Sequence, residues 1–181
     1  MPGSSRASAA AEPFRVVGVD PGIANLGLGA VEERGREARL LASEVVRTPA
    51  RQAQEARLLT LKHATAAFLD AHRPHALAIE GQFFHRQRDV SFKVGQAFGV
   101  VLLTAAERGV PVFEYGPMQV KQALVGTGRA HKDQVTYMVR ALLGMTQAPT
   151  DHHASDALAL ALTHLSSRRV NATPGGGRTP S

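Results

Sequence analysis

Short apolar runs broken by polar turns fill the first third of the chain, and longer segments with helical spacing fill most of the rest. Arg15-Val16-Val17-Gly18-Val19-Asp20 is β-branched and stopped by Pro21-Gly22, which predicts a buried strand ending at an acid. Leu26 to Val31 and Leu40 to Val46 flank the polar stretch Glu32 to Arg36 and predict two more strands, forming an antiparallel meander with the first. Thr48 followed by Pro49 reads as an N-cap and a first helical residue, with Ala56, Leu59, Ala66 and Leu69 holding helical spacing up to Pro74. Ala76-Leu77-Ala78-Ile79-Glu80 is a fourth strand, again apolar and again ending at an acid. A helix from Ser91 to Arg108, a strand from Val112 to Tyr115, and helices at Met118 to Leu124, Lys132 to Leu143 and Asp151 to Leu165 complete the order. Three strands followed by alternating helices and strands predict an α/β fold, a mixed sheet covered by helices on both faces. Residues 1–13, rich in Ser, Ala and Pro, and residues 170–181, with Gly175-Gly176-Gly177, are expected to be disordered, which leaves one domain over residues 14–169.

Composition narrows the chemistry. At 181 residues, 44% hydrophobic and 20% charged, the chain fits one ordinary globular domain. It has no cysteine, which excludes a disulfide framework, a thiolate metal site and a cysteine nucleophile. No run approaches the roughly 18 apolar residues of a membrane span, and the first segment lacks the apolar core of a signal peptide, so the expected location is the cytoplasm. Four lysines and seventeen arginines against 15 acids give a net charge of +6, which points to an anionic partner such as nucleic acid, with a merely basic surface as the plain alternative.

Asp20 and Glu80 each follow an apolar strand and lie at its carboxyl end, where open α/β sheets place their sites. An acid at a strand end can also simply cap a turn. A third group is Asp151-His152-His153-Ala154-Ser155-Asp156, opening the last helix. His153 and Asp156 are three apart and His152 and Asp156 four apart, so either pair shares a helix face and could share a metal. Spacing does not choose between the histidines, and a polar first turn with Asp151 facing the helix dipole explains the same residues. His164 lies about 16 Å further along the axis and cannot join them. Hard oxygen ligands suit magnesium or manganese, and two such ions about 3.5 to 4 Å apart can activate a water against a phosphodiester.

Six blocks then resemble one family. Val17-Gly18-Val19-Asp20-Pro21-Gly22, Ala78-Ile79-Glu80-Gly81-Gln82-Phe83-Phe84, Lys93-Val94-Gly95-Gln96-Ala97, Pro111-Val112-Phe113-Glu114-Tyr115, Gln119-Val120-Lys121-Gln122 with Val125-Gly126-Thr127-Gly128, and Ala154-Ser155-Asp156-Ala157-Leu158-Ala159-Leu160 follow the order and spacing of the bacterial RuvC Holliday junction resolvases. The resemblance implies an RNase H-like fold with a mixed five-stranded sheet. It also implies a homodimer that nicks opposing strands of a four-way DNA junction with divalent metal, Mg2+ or Mn2+, at two ions per active site, and the RuvA and RuvB branch-migration complex as partners. It maps the family's ligand positions to Asp20, Glu80, His153 and Asp156, with His153 at a position that is often aspartate and Ser155 in place of the usual alanine. Asp20 is then the central ligand, and His153 a ligand or a water-positioning group.

The resemblance also assigns Phe83 to the aromatic that probes the junction centre. Phe84, Arg86 and Arg88 beside it form an aromatic and basic loop suited to stacking on bases and neutralising phosphates. For Phe84 a place in the core is an equal reading. Lys121 and Lys132 fall at positions that contact DNA or support the site, and Arg129 sits in the flexible basic loop between them. Gly95, Ala97 and Gly99 permit close helix approach, either at a dimer interface or against the sheet. Three other readings remain. A phosphotransferase of the actin and sugar-kinase type needs a second lobe and a phosphate-cradling glycine segment that this chain lacks. Another nuclease of the superfamily, acting on RNA or duplex DNA, and a junction-binding protein without catalysis are the closer alternatives.

Overall fold

The computed structural model describes residues 12–81 and 88–172, with side chains for 12–81 and 92–171. Five strands, β1 (Phe14–Asp20), β2 (Asn25–Arg34), β3 (Glu37–Arg47), β4 (Ala76–Glu80) and β5 (Val112–Tyr115), form one sheet in the order β3-β2-β1-β4-β5. β1 pairs antiparallel with β2, and β2 with β3, giving the expected meander; β4 runs parallel to β1 and β5 parallel to β4. The helices are α1 (Gln54–His72), α2 (Arg88–Ala106), α3 (Pro117–Val125), α4 (Lys132–Leu142) and α5 (His152–Ala172).

Successive strand residues point to opposite faces, and this divides the core in two. Val17, Val19, Leu77 and Ile79 pack with Leu61, Phe68 and Leu69 of α1 and Ala97, Val101 and Ala105 of α2. Val16, Val31 and Ala78 pack on the other face with Leu124 of α3, Val135 and Val139 of α4, and Leu158, Leu162 and Leu165 of α5. Helices therefore cover both faces, as expected. Asp20 and Glu80 have the parity of Val16 and Ala78, so both acids project toward the face that α5 covers.

α5 lies on a floor of glycines. A Cβ on Gly18 would stand 1.8 Å from the carbonyl oxygen of Ala157, one on Gly27 2.1 Å from that of His153, and one on Gly29 2.8 Å from the Leu158 side chain. Gly18 faces Gly29 across the β1-β2 ladder, and Asp20 faces Gly27. The helix backbone thus rests almost directly on the strands that carry the first acid. Further along, Glu33 is buried and accepts from Arg168 and Arg169 of α5, tying the helix to β2. Buried His164 hydrogen-bonds the Tyr115 hydroxyl through Nδ1 at 2.8 Å, which ties it to β5. Burial, and secondarily Arg168, keep the His164 imidazole below its ordinary pKa.

Two expectations need correction. The first helix starts at Gln54, after Ala53, and not at Pro49. Thr48 is buried, and its hydroxyl donates to the carbonyl of Ile23 while accepting from Nε of Arg57, so it fastens a loop rather than capping a helix. Leu59 is 52% exposed, and the helix buries Leu61, Thr65, Phe68 and Leu69 instead. The last helix runs to Ala172, so residues 170–172 are helical where disorder was expected; residues 1–11 and 173–181 lie outside the described residues.

Gly18→Ala is expected to cost about 2 kcal/mol or more of stability, toward the upper part of the range for overpacked cores, because the new methyl meets backbone atoms that cannot rotate away. Urea unfolding at neutral pH checks this. A loss below about 0.5 kcal/mol, the size of an ordinary surface change, would show that α5 does not sit on this floor.

Candidate active site

Asp20 at the end of β1, Glu80 at the end of β4, and His153 and Asp156 in the first turns of α5 come together at the carboxyl ends of two central strands. Nδ1 of His153 stands 2.6 Å from Oδ2 of Asp20, 133 residues away in sequence. The Asp20 side chain is 15% exposed and that of His153 24%. Of the two histidines, His153 makes this contact; His152 is exposed and its ring lies against that of His153, centroids 4.0 Å apart. Asp156, on the same helix face as His153, accepts from Nζ of Lys132 at 2.8 Å.

Electrostatics tie the acids together. Burial pushes the Asp20 carboxyl above its ordinary pKa, outweighing the hydrogen bond from His153, and the charge of Asp156 adds to the rise. Burial pushes Glu80 up to about 7, with Asp20 and then Asp156 adding like-charge repulsion and Lys132 opposing it. Asp20 and Glu80, held above their ordinary range beside the charge of Asp156 and with one imidazole among them, make a donor set that a hard divalent cation fits, since its charge relieves the repulsion that concentrating these groups creates. Asp20, Glu80, His153 and Asp156 are the residues that could hold it.

Beside these groups a cavity of about 250 Å³ is lined by Glu80, Asp156, Lys121 and Lys132 on its polar side and by Pro117, Val120, Val135, Ala159 and Leu160 below. Lys121 and Lys132 therefore border the acids. Arg129 lies elsewhere, on a groove it shares with Met118, Gln122, Thr127 and Val170. Phe83, Phe84 and Arg86 lie outside the described residues, as does the side chain of Arg88, whose backbone begins α2. Of the small residues on α2, Ala97 is buried against the sheet, whereas a Cβ at Gly95 or Gly99 would meet open space.

Asp151, His152 and His153 also place donor atoms within 4.8 Å of one another. Asp151 is already engaged. Its Oδ1 accepts the backbone N–H of His153 at 2.9 Å, the geometry of an N-cap, and its Oδ2 pairs with Arg47 at the end of β3. The His153 N–H, followed by Arg47, holds the Asp151 carboxyl below the ordinary range. The sequence placed Asp151 at the helix dipole but gave no sign of Arg47, 104 residues away, because neither residue belongs to a motif that predicts the other.

Glu80, raised in the fold, binds its proton more tightly there than in the unfolded chain. Its contribution to stability is present at low pH and lost as pH rises through about 7. Without divalent metal, Glu80→Gln is therefore expected to raise the melting temperature at pH 8 by several degrees and to change it little at pH 5. Thermal melts in chelator at the two pH values check this; an equal effect at both would show that burial and the neighbouring acids do not raise Glu80.

Residues 16–164 match the family model of the crossover junction endodeoxyribonuclease RuvC. The crossover junction endodeoxyribonuclease RuvC of Thermus thermophilus is 50% identical over 152 residues, covering 82% of this chain and 92% of its own. The solved structure of T. thermophilus RuvC superposes with a TM-score of 0.83 at 48% identity, covering 87% of this chain and 97% of that one. T. thermophilus RuvC in complex with a Holliday junction substrate does so with a TM-score of 0.80 at 46% identity, covering 86% and 96%.

Proposed function

The chain belongs to the crossover junction endodeoxyribonuclease RuvC family, with an RNase H-like fold, and we propose that it resolves four-way DNA junctions by paired nicks in opposing strands, using Asp20, Glu80, His153 and Asp156 as its metal-holding centre. The observation that carries this reading is the convergence of those four donors from β1, β4 and α5, with two lysines bordering them. Magnesium or manganese, at two ions per site, would supply the charge that activates water and stabilises the leaving oxygen, so no side chain need act as a covalent nucleophile.

The chain's own residues orient and bind. Asp20, the least exposed carboxylate with a described hydrogen bond at the site, is the central ligand. Glu80 and Asp156 flank it, and His153 is a ligand through its imidazole. Lys132 steadies Asp156, and with Lys121 it offers cations where a phosphate would approach. Arg129 extends the basic surface, and Phe83, Phe84, Arg86 and Arg88 are the aromatic and basic residues that would meet the junction, with Phe83 stacking at its centre. Cutting two strands requires two such sites. A homodimer supplies them, and the outward face of α2 fits the interface: Phe92 is 68% exposed, Leu103 57%, and Gly95 and Gly99 lie between them with open space above. RuvA and RuvB are the partners that family membership implies. No described helix is long and apolar enough to cross a membrane, and a cytoplasmic location fits the DNA substrate.

Asp20→Asn keeps size and removes charge. Cleavage of a synthetic four-way junction is expected to fall by about 10³-fold or more, roughly 4 kcal/mol of transition-state stabilisation, while junction binding changes little because affinity rests on cations elsewhere. Gel assays with four-way junction, duplex DNA and RNA–DNA hybrid check both parts. Equal cutting of duplex or hybrid would move the chain to another substrate of the superfamily, and binding without any cleavage by the parent protein would leave a junction-binding protein.

A further inference from the structure

Besides the glycine floor, the Glu33 pairs near its carboxyl end, the His164 bond to Tyr115 and the His153 contact with Asp20, α5 is held to the sheet by a contact at its first turn that the catalytic reading does not use. That contact is the ion pair of Arg47 with Asp151. Arg47 is the last residue of β3, the edge strand, and its neighbour Thr48 is buried and bonded both to the Ile23 carbonyl and to Arg57. The loop carrying Arg47 is thus fixed from below. Asp151 in turn holds the backbone N–H of His153, the residue whose Nδ1 meets Asp20. The chain of contacts runs from Arg47 to Asp151, to the His153 backbone, and through its ring to Asp20.

We infer that Arg47 and Asp151 are positioning residues for the candidate centre: together they brace the first turn of α5 so that the His153 imidazole stays aimed at Asp20. Both carboxylate oxygens of Asp151 are engaged, one by each neighbour, so Asp151 acts as a brace and not as a ligand, although it lies within ligand distance of two histidines. The first turn of a helix is where fraying starts, because its N–H groups have no partners within the helix. At that turn the backbone of His153 is also pressed against Gly27. If the turn frays, the ring is released from a carboxylate carried by a different element, and a donor that must be within a few tenths of an ångström of its target is lost to the site. The inference rests on the reading of His153 as a metal ligand, and it adds the residues that keep it in place.

The test uses the full chain with Arg47→Gln, Asp151→Asn, Asp151→Ala, His153→Ala and the double variant Asp151→Ala/His153→Ala. Nitrogen NMR of labelled histidines in metal-free protein, with His153 identified by its disappearance in His153→Ala, reads the imidazole directly. Single-turnover junction cleavage at varied manganese reads the half-saturating concentration separately from the maximal rate. The brace predicts that Asp151→Ala, which loses both the cap and the ion pair, abolishes the fixed hydrogen-bonded pattern of His153, and that half-saturating manganese rises roughly tenfold, the scale of losing a group that orients a ligand. Arg47→Gln and Asp151→Asn, which lose the ion pair but keep the capping oxygen, should lie between the parent and Asp151→Ala, and Asp151→Ala should add nothing once His153 is gone. An unchanged His153 spectrum in Arg47→Gln and Asp151→Asn overturns the inference even if Asp151→Ala fails to fold, and so do additive effects in the double variant. If His153→Ala itself leaves half-saturation unaltered, the ligand reading fails and takes the brace's role in metal binding with it.

Discussion

The close approach of α5 to the β1-β2 ladder is the constraint on which the rest of the structure depends. Gly18, Gly27 and Gly29 leave no room for a Cβ beneath the helix, so its backbone contacts strand backbone where most helices would contact side chains. Helices usually stand off a sheet by the thickness of the residues between them. Here that layer is missing along one line, and Asp20, directly opposite Gly27 on the ladder, meets a side chain of the helix's first turns at hydrogen-bond distance. A larger residue at Gly18 or Gly27 would lift the helix and separate donors that three elements supply.

The electrostatics work against the fold at the same place. Asp20 and Glu80 are carried by neighbouring strands and point the same way, so they and Asp156 repel one another in a partly buried setting. The contacts that offset this lie at its margins: Lys132 on Asp156 and His153 on Asp20, while away from the site buried Glu32 is held between Arg15 and Arg34. Glu32 illustrates the opposite outcome of burial. Its two arginines hold it below the ordinary carboxylate range, whereas Glu80, without a described cation in contact, is driven above it.

Much of this was legible in the sequence because it is written in short-range pattern. Two apolar strands each ending in an acid, and a polar turn opening an apolar helix, give the positions of Asp20, Glu80 and Asp156, and the mixed sheet follows from the order of elements. What was misread depended on contacts between distant residues. Thr48-Pro49 has the composition of a helix start, but a buried hydroxyl bonded to Ile23 and Arg57 uses it otherwise. Leu59 keeps apolar spacing on α1 yet faces outward, because spacing marks a stripe without saying which neighbour covers it. The choice of His153 over His152 needed the fold as well: two adjacent histidines satisfy the same spacing, and only the register of α5 over Gly27 turns one of them to Asp20.

A helix seated on bare strand backbone brings Asp20, Glu80, His153 and Asp156 close enough for the divalent-metal site proposed above. Crystals soaked in manganese test that most directly, with the ion located by its anomalous scattering. The account predicts density between Asp20 and Glu80 within coordination distance of His153 or Asp156. Density between Asp151 and His152 with Asp20 uncoordinated would contradict it.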